Sequence, residues 1–139
     1  MHQASIENRG DSRLLATTRR GGFLMDAQGL GTDPVDALLA SLCGCLGRSL
    51  RAFLHQERRG GEAFTISARA GLTPDGTLVD TIEVLVSPEG SWWNEAQRER
   101  MLQSLRGSKV FRILSVVPGI RLALAEPSVR TGTASRVLA

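Results

Sequence analysis

The hydrophobic and polar positions in the first third of the chain alternate over short segments, a pattern that is typical of β-strands. Turn residues separate three such segments, "HQASIEN", "RLLATTR" and "FLMDA". We therefore predict three antiparallel strands before the first helix.

A long apolar segment follows and predicts a helix that is capped by Thr32 or Asp33 and has Pro34 in its first turn. Almost every position from Ala37 to Leu46 is apolar or small, whereas polar residues mark one side of the later turns until two glycines end the helix. We expect the first half of this helix to be buried all round. Because one sheet and one helix give too little cover in so small a domain, we also expect a homodimer.

The second half of the chain predicts a hairpin, two helices and a last strand. "AFTISARAGL" and "TLVDTIEVLVS" alternate around the turn "TPDG". "WWNEAQRERMLQSL" predicts a helix capped by Ser91 and closed by Gly107, "SKVFRILS" a short helix, and "IRLALAE" a strand. The predicted fold is α+β with the order β-β-β-α-β-β-α-α-β. We expect one domain over residues 1–126, and a loose tail or an arm on a neighbouring subunit over 127–139.

The composition narrows the class of protein. The 139 residues, 42% hydrophobic and 22% charged, suit one soluble globular domain. No segment has the roughly 18 apolar residues of a membrane span, and the N-terminus lacks an apolar signal core. We therefore expect a cytoplasmic protein with reduced cysteines and no membrane partner.

Charge and motifs exclude further classes. The net charge is +3, but the arginines are scattered among acids without stacking aromatics, so we expect no nucleic-acid partner. His2, His55 and the two cysteines have no metal-ligand spacing, and the glycines form no phosphate- or dinucleotide-binding pattern. We therefore expect neither a metal nor a cofactor.

One segment, "GTDPVDALLASLCGC", resembles the signature of the OsmC/Ohr superfamily, the osmotically inducible and organic hydroperoxide resistance proteins. The shared features are a Gly-Thr opening before the helix proline, an acidic residue at the helix start, small apolar residues and a cysteine. The resemblance covers the element order from about Ile6 to Glu126, and Pro34 to Cys45 is its only specific part. It implies an OsmC-like intertwined homodimer with sheets wrapped around central helices. It also places Cys45 at the position whose thiolate, in peroxidase members, attacks a hydroperoxide.

The chain departs from those peroxidases at their second cysteine. In such proteins the oxidised cysteine forms a disulfide with a "CPVS"-like motif, where this chain has Ser108 and Lys109. Cys43 is a poor substitute, because residues two apart on a helix point about 200° away from each other. We expect Cys43 to be a core residue and Ser108 to be the N-cap of its short helix.

Two residues are candidates to assist Cys45. Family peroxidases have an arginine in the turn between the first two strands, and Arg9 lies at roughly that turn. They also have a glutamate ten residues before the cysteine, where this chain has Val35, and the neighbouring Asp36 matches more divergent members. Asp36 lies about 13 Å along the helix from Cys45 and about 180° round it. It either caps the helix or acts through Arg9 or across a dimer.

Two functions remain open. In the first, Cys45 with Arg9 and Asp36 reduces organic hydroperoxides, and an external thiol restores the cysteine. In the second, a non-catalytic dimer binds an apolar small molecule at the subunit interface, and Cys45 is a pocket or core residue. A reactive cysteine needs a cation or a helix N-terminus nearby and access to solvent, so the surroundings of Cys45 distinguish the two.

Overall fold

The computed structural model describes residues 2–26, 31–89, 93–116, 119–125 and 135–138. The elements, in chain order, are β1 (Ala4–Glu7), β2 (Leu14–Thr18), β3 (Gly21–Met25), α1 (Pro34–Gln56), β4 (Phe64–Leu72), β5 (Val79–Pro88), α2 (Glu95–Arg106), α3 (Lys109–Ser115), β6 (Leu122–Ala125) and β7 (Ser135–Leu138). The predicted α+β class is confirmed, and the predicted order matches the structure as far as β6.

The strands form three separate antiparallel sheets, β1–β2–β3, β4–β5 and β6–β7. In the N-terminal sheet, Ile6, Ala16 and Phe23 are directly opposite one another across the three strands. Side chains in register lie on the same face of a sheet, and Ile6 and Phe23 remain 52% and 44% exposed. Within the described residues, Ile6 and Phe23 on this face are therefore largely uncovered, whereas Ala16 between them is buried at 3%.

The predicted hairpin is the β4–β5 sheet. Its turn is fixed by Asp75, whose carboxylate accepts hydrogen bonds from the Thr73 hydroxyl and the Thr77 amide at 2.6 and 3.0 Å. Gly76 follows with φ of 73°, a conformation that glycine adopts without steric cost. Hydrogen bonds from Thr73 and Thr77 lower the pKa of Asp75 to about 2.

Residues 135–138 lie within the predicted tail and are extended in the structure. They form β7, which pairs with β6 so that Leu122 is opposite Leu138. An unpaired strand edge has free backbone donors and acceptors that another extended segment can satisfy. The end of the same chain does this for β6.

The start of α1 follows from its cap. Asp33 is the N-cap, and its carboxylate accepts a hydrogen bond from the Val35 amide at 2.8 Å. The end of α1 differs from the prediction that two glycines end it. The helix stops at Gln56, and the residue with a positive φ in the turn that follows is Arg58, at 61°. The guanidinium of Arg51 fixes the chain beyond this turn by donating to the carbonyls of Gly60 and Glu62.

The core lies on one side of α1. This side packs on β4, α2 and α3, and the buried cluster consists of Leu42, Leu46, Leu50, Phe53 and Leu54 with Met101 and Leu105 of α2. The opposite side is open: Leu38 is 42% exposed, and Ser41, Gly44 and Arg48 are exposed as well. The expectation that Ala37 to Leu46 is buried all round is therefore wrong for one chain. Within the residues that the structure describes, the strands of the N-terminal sheet make their main contacts with one another, and this side of α1 stays exposed.

The helix α1 has 23 residues and is apolar enough that length and composition alone would allow it to cross a membrane. The central helix of a folded domain meets the same criteria. In this chain the apolar side of α1 is packed against β4, α2 and α3, as in such a central helix.

The cap of α2 also differs from prediction. The proposed cap, Ser91, lies outside the described residues, and the N-cap is Asn94. Asn94 and Gln97 form a capping box in which each side chain accepts a hydrogen bond from the other residue's amide, at 2.8 and 3.0 Å. The predicted closure at Gly107 is confirmed.

Candidate functional site

Cys45 lies at the junction of α1 and α3. Its Sγ accepts a hydrogen bond from the backbone N–H of Val110, with 3.4 Å between nitrogen and sulfur. Val110 is the second residue of α3, where backbone N–H groups have no partner inside the helix. The half-buried thiol therefore accepts the hydrogen bond of a backbone N–H that an N-cap side chain usually accepts.

Ser108 occupies the N-cap position of α3, as predicted, but its side chain makes no capping hydrogen bond. A physical reason is visible in the contact above: Cys45 already accepts from Val110, the amide that an N-cap hydroxyl commonly bonds. The backbone of Ser108 is paired, since its N–H donates to Leu105 and its carbonyl accepts from Arg112. The side chain is 5% exposed, and its Oγ has no partner within the described part of the chain.

Cys43 has a different environment from Cys45. It lies one helical turn before Gly47. A Cβ atom added at Gly47 would lie 3.5 Å from the Phe64 ring, so Cys43 is on the side of α1 that faces β4. Burial raises the pKa of the Cys43 thiol. Both cysteines are free thiols in the structure.

An open cleft of about 310 Å³ lies between α1, β5 and α3. Its walls carry the apolar side chains of Leu42 of α1, Ile82 of β5, and Phe111 and Leu114 of α3, together with polar residues such as Asp80 and Thr81. Leu42 lies one turn before Cys45 and Phe111 directly follows Val110, so the cleft lies along the same contact of α1 with α3 as the thiol, but Cys45 is not one of its lining residues. Its volume falls within the range of about 300 to 1,000 Å³ that small-molecule sites have.

The two residues predicted to assist Cys45 lie elsewhere in the single chain. Arg9 is in the exposed turn between β1 and β2, where its guanidinium contacts the carboxylate of Glu7 at 3.1 Å. Asp36 is exposed in the first turn of α1. Within the described part of one chain, no hydrogen bond or ion pair connects either residue to Cys45.

Sequence reasoning missed two features of this site. The contact between Cys45 and Val110 joins positions 65 residues apart, and no local pattern predicts it. The second feature is Arg48, which follows Cys45 by three residues and is exposed. Positions i and i+3 are neighbours on a helix surface, so this spacing could have drawn attention to Arg48 as the cationic residue nearest to Cys45 along α1.

These features define a class: a small α+β protein in which a long central helix carries a half-buried cysteine, with a partly apolar cleft along the same helix. The family model for OsmC-like proteins matches residues 27–114, more than half of the chain. The chain therefore belongs to the OsmC-like family, and the predicted resemblance is confirmed. The matched segment includes Asp36, Cys45 and Ser108, whereas Arg9 lies before it.

Solved structures support the same fold. A Psychrobacter arcticus protein, described as an osmotic stress induced and detoxification response protein, aligns with a TM-score of 0.70 at 16% identity, over 85% of this chain and 90% of its own. An OsmC-like protein from Mycoplasma pneumoniae aligns with a TM-score of 0.67 at 14% identity, over 84% and 89%. One from Vibrio cholerae gives 0.62 at 16% identity, over 84% and 94%. At these identities the likeness shows the fold alone. No curated protein matches the sequence significantly.

Proposed function

We propose that this protein is a thiol-dependent organic hydroperoxide reductase with a single reactive cysteine, Cys45. The observation that carries the proposal is the contact of Cys45 Sγ with the Val110 N–H at the start of α3. An N–H group that points at sulfur stabilises a negative charge there, and the attacking species in such chemistry is the thiolate. The apolar side chains of the nearby cleft, among them Leu42 and Phe111, suit the organic part of an alkyl hydroperoxide.

The proposed reaction has two stages. The Cys45 thiolate attacks the terminal oxygen of the hydroperoxide, so that an S–O bond forms while the O–O bond breaks. The alkoxide that leaves takes up a proton and becomes an alcohol, while the sulfur, oxidised by two electrons, is left as a sulfenic acid.

The second stage restores the thiol. Since position 108 is a serine and Cys43 faces β4, an external small thiol condenses with the sulfenic acid and releases water. A second external thiol then attacks this mixed disulfide, so that Cys45 returns to its thiol form and the external pair leaves as a disulfide.

We infer that the working form is a homodimer. In the described part of one chain, the open side of α1 and the side chains of Ile6 and Phe23 are exposed, and a second copy would cover both. Within a single chain, Arg9 and Asp36 do not lie near Cys45. In such a dimer, the Arg9 and Asp36 side chains of one copy can reach the thiol of the other. The two free thiols suit a reducing, cytoplasmic setting.

The test compares two serine variants. With a small dithiol as reductant, Cys45→Ser should abolish the consumption of an alkyl hydroperoxide, whereas Cys43→Ser should keep most of it because Cys43 is on another side of α1. Arg9→Ala should slow the reaction, since the thiolate loses a cationic neighbour. Mass spectrometry of the oxidised protein should show Cys45 as a sulfenic acid or a mixed disulfide. Reduced, dimeric wild-type protein that consumes hydroperoxide no faster than Cys45→Ser would refute the proposal.

The cleft also favours a second candidate function, a non-catalytic dimer that binds an apolar small molecule at the subunit interface. In that case Cys45 only caps α3. The wild type would then show no turnover with any thiol reductant. Both serine variants would merely lose stability, by about 1 to 3 kcal/mol for a polar group placed among apolar ones.

A further inference from the structure

We propose that the hydroxyl of Ser108 donates a hydrogen bond to the oxygen atom that the hydroperoxide transfers to Cys45. This role would make Ser108 a catalytic residue, and it rests on the function proposed above. The residue that replaces the family's second cysteine would thus take part in the reaction without forming a disulfide.

The first support is the state of the hydroxyl. Ser108 is 5% exposed, and its Oγ has no hydrogen-bond partner within the described part of the chain. Buried polar side-chain atoms are nearly always paired, and leaving one unpaired is destabilising. A hydroxyl kept in this state has an unused donor, which a bound molecule can occupy.

The second support is its location. An N-cap side chain lies over the first turn of its helix, where it ordinarily reaches the amide of the second or third residue. In α3, the second amide is that of Val110, and it contacts Cys45 Sγ. The Ser108 hydroxyl and the Cys45 sulfur therefore both lie at the first turn of α3. The hydroxyl makes no capping hydrogen bond that would occupy it.

The chemistry fits a donor at this place. As the S–O bond forms and the O–O bond breaks, negative charge develops on the peroxide oxygens, and a fixed donor stabilises such charge in a site with little water. A serine hydroxyl supplies one such donor. No proton leaves Ser108, and the same hydrogen bond then holds the oxygen of the sulfenic acid until the external thiol attacks.

The main test measures how fast a hydroperoxide oxidises Cys45 without reductant, in a Cys43→Ser background that leaves one thiol to count. Ser108→Ala should lower the second-order rate constant by at least about tenfold. Its thermal midpoint should be unchanged or higher, because the lost hydroxyl had no partner. Ser104→Ala, a half-buried serine on α2, is the matched control and should change neither quantity.

Ser108→Cys tests the location without any peroxide activity. With Cys43 replaced by serine, mild oxidation by diamide should join positions 45 and 108 in a disulfide, which requires Cα atoms about 4.4 to 6.8 Å apart. Failure to form this disulfide in folded protein would overturn the proposal.

The remaining outcomes separate the two proposals. If the wild type is active and Ser108→Ala reacts as fast, the role of Ser108 is refuted and the reductase function stands. If Ser108→Ala is slow only because its thermal midpoint has fallen, the role of Ser108 is structural and the proposal is likewise refuted. If the wild type is no faster than Cys45→Ser, the reductase function fails, and the role of Ser108 fails with it.

Discussion

Gly44→Met distinguishes a helix face that meets solvent from one that meets a second subunit. Gly44 lies on the open side of α1, and a Cβ atom added there would meet no described atom within 4 Å apart from the neighbouring backbone of the helix. In a lone chain, the substitution should stabilise α1 by about 0.5 to 0.8 kcal/mol, since methionine is a much better helix former than glycine. A variant that only adds helix stability should therefore melt at a slightly higher temperature.

In the proposed dimer the sign reverses. A side chain forced into a packed interface costs about 1 to 3 kcal/mol, and a twofold axis imposes that cost twice. The free energy of dimerisation should then weaken by about 2 to 6 kcal/mol, which raises the dissociation constant by a factor of about 30 to 10⁴.

Sedimentation over a concentration series measures this directly. The wild type should show no folded monomer at micromolar concentration, whereas Gly44→Met should dissociate in that range. Gly61→Met is the control, because Gly61 also has open space around its missing side chain but lies in the turn after α1. A Gly44→Met dimer as tight as the wild type would show that this side of α1 is not the interface.

Two further predictions concern the core and the second thiol. Leu50 is fully buried, so Leu50→Ala should lower the free energy of unfolding by about 2 to 5 kcal/mol in urea titrations. The control is Leu78→Ala at a residue 65% exposed, which should change this free energy by less than about 0.5 kcal/mol. Equal losses for the two variants would contradict the assigned core. Burial raises the pKa of Cys43 and so keeps the thiol protonated to a higher pH. In a Cys45→Ser background, the rate of Cys43 alkylation should therefore begin to rise at a higher pH than the rate measured for an exposed thiol. A pH profile like that of a free thiol would disprove this burial.

The fold was largely predictable because its signals are local. Alternation gave the β4–β5 hairpin, and the Asp33 and Pro34 pair gave the start of α1. The strand β7 was not predicted, because its pairing with β6 depends on a partner elsewhere in the chain and not on its own pattern.

The burial of α1 shows a different limit. Its composition indicates which positions avoid water, but it does not indicate which element covers them. Leu42 and Leu46 are covered by the chain itself, whereas Leu38 is left 42% exposed, although the three residues look alike in sequence.

The site was predictable in part. The signature around Cys45 identified the thiol, and the position of Ser108 at the start of α3 was correct. The use of that position was not predictable, because the bond from Val110 to Cys45 arises only when α3 packs on α1. The unused hydroxyl of Ser108 follows from the same tertiary contact.

The bond between Val110 and Cys45 also makes a backbone amide into a sensor of the sulfur. Oxidation or alkylation of Cys45 changes the acceptor that this N–H faces, while the neighbouring amides of α3 keep their own environment. In a ¹⁵N-labelled sample, the amide resonance of Val110 should therefore shift when Cys45 is modified and stay in place when Cys43 is. A reaction at one side chain of α1 can thus be followed, in real time and without a dye, on a different helix.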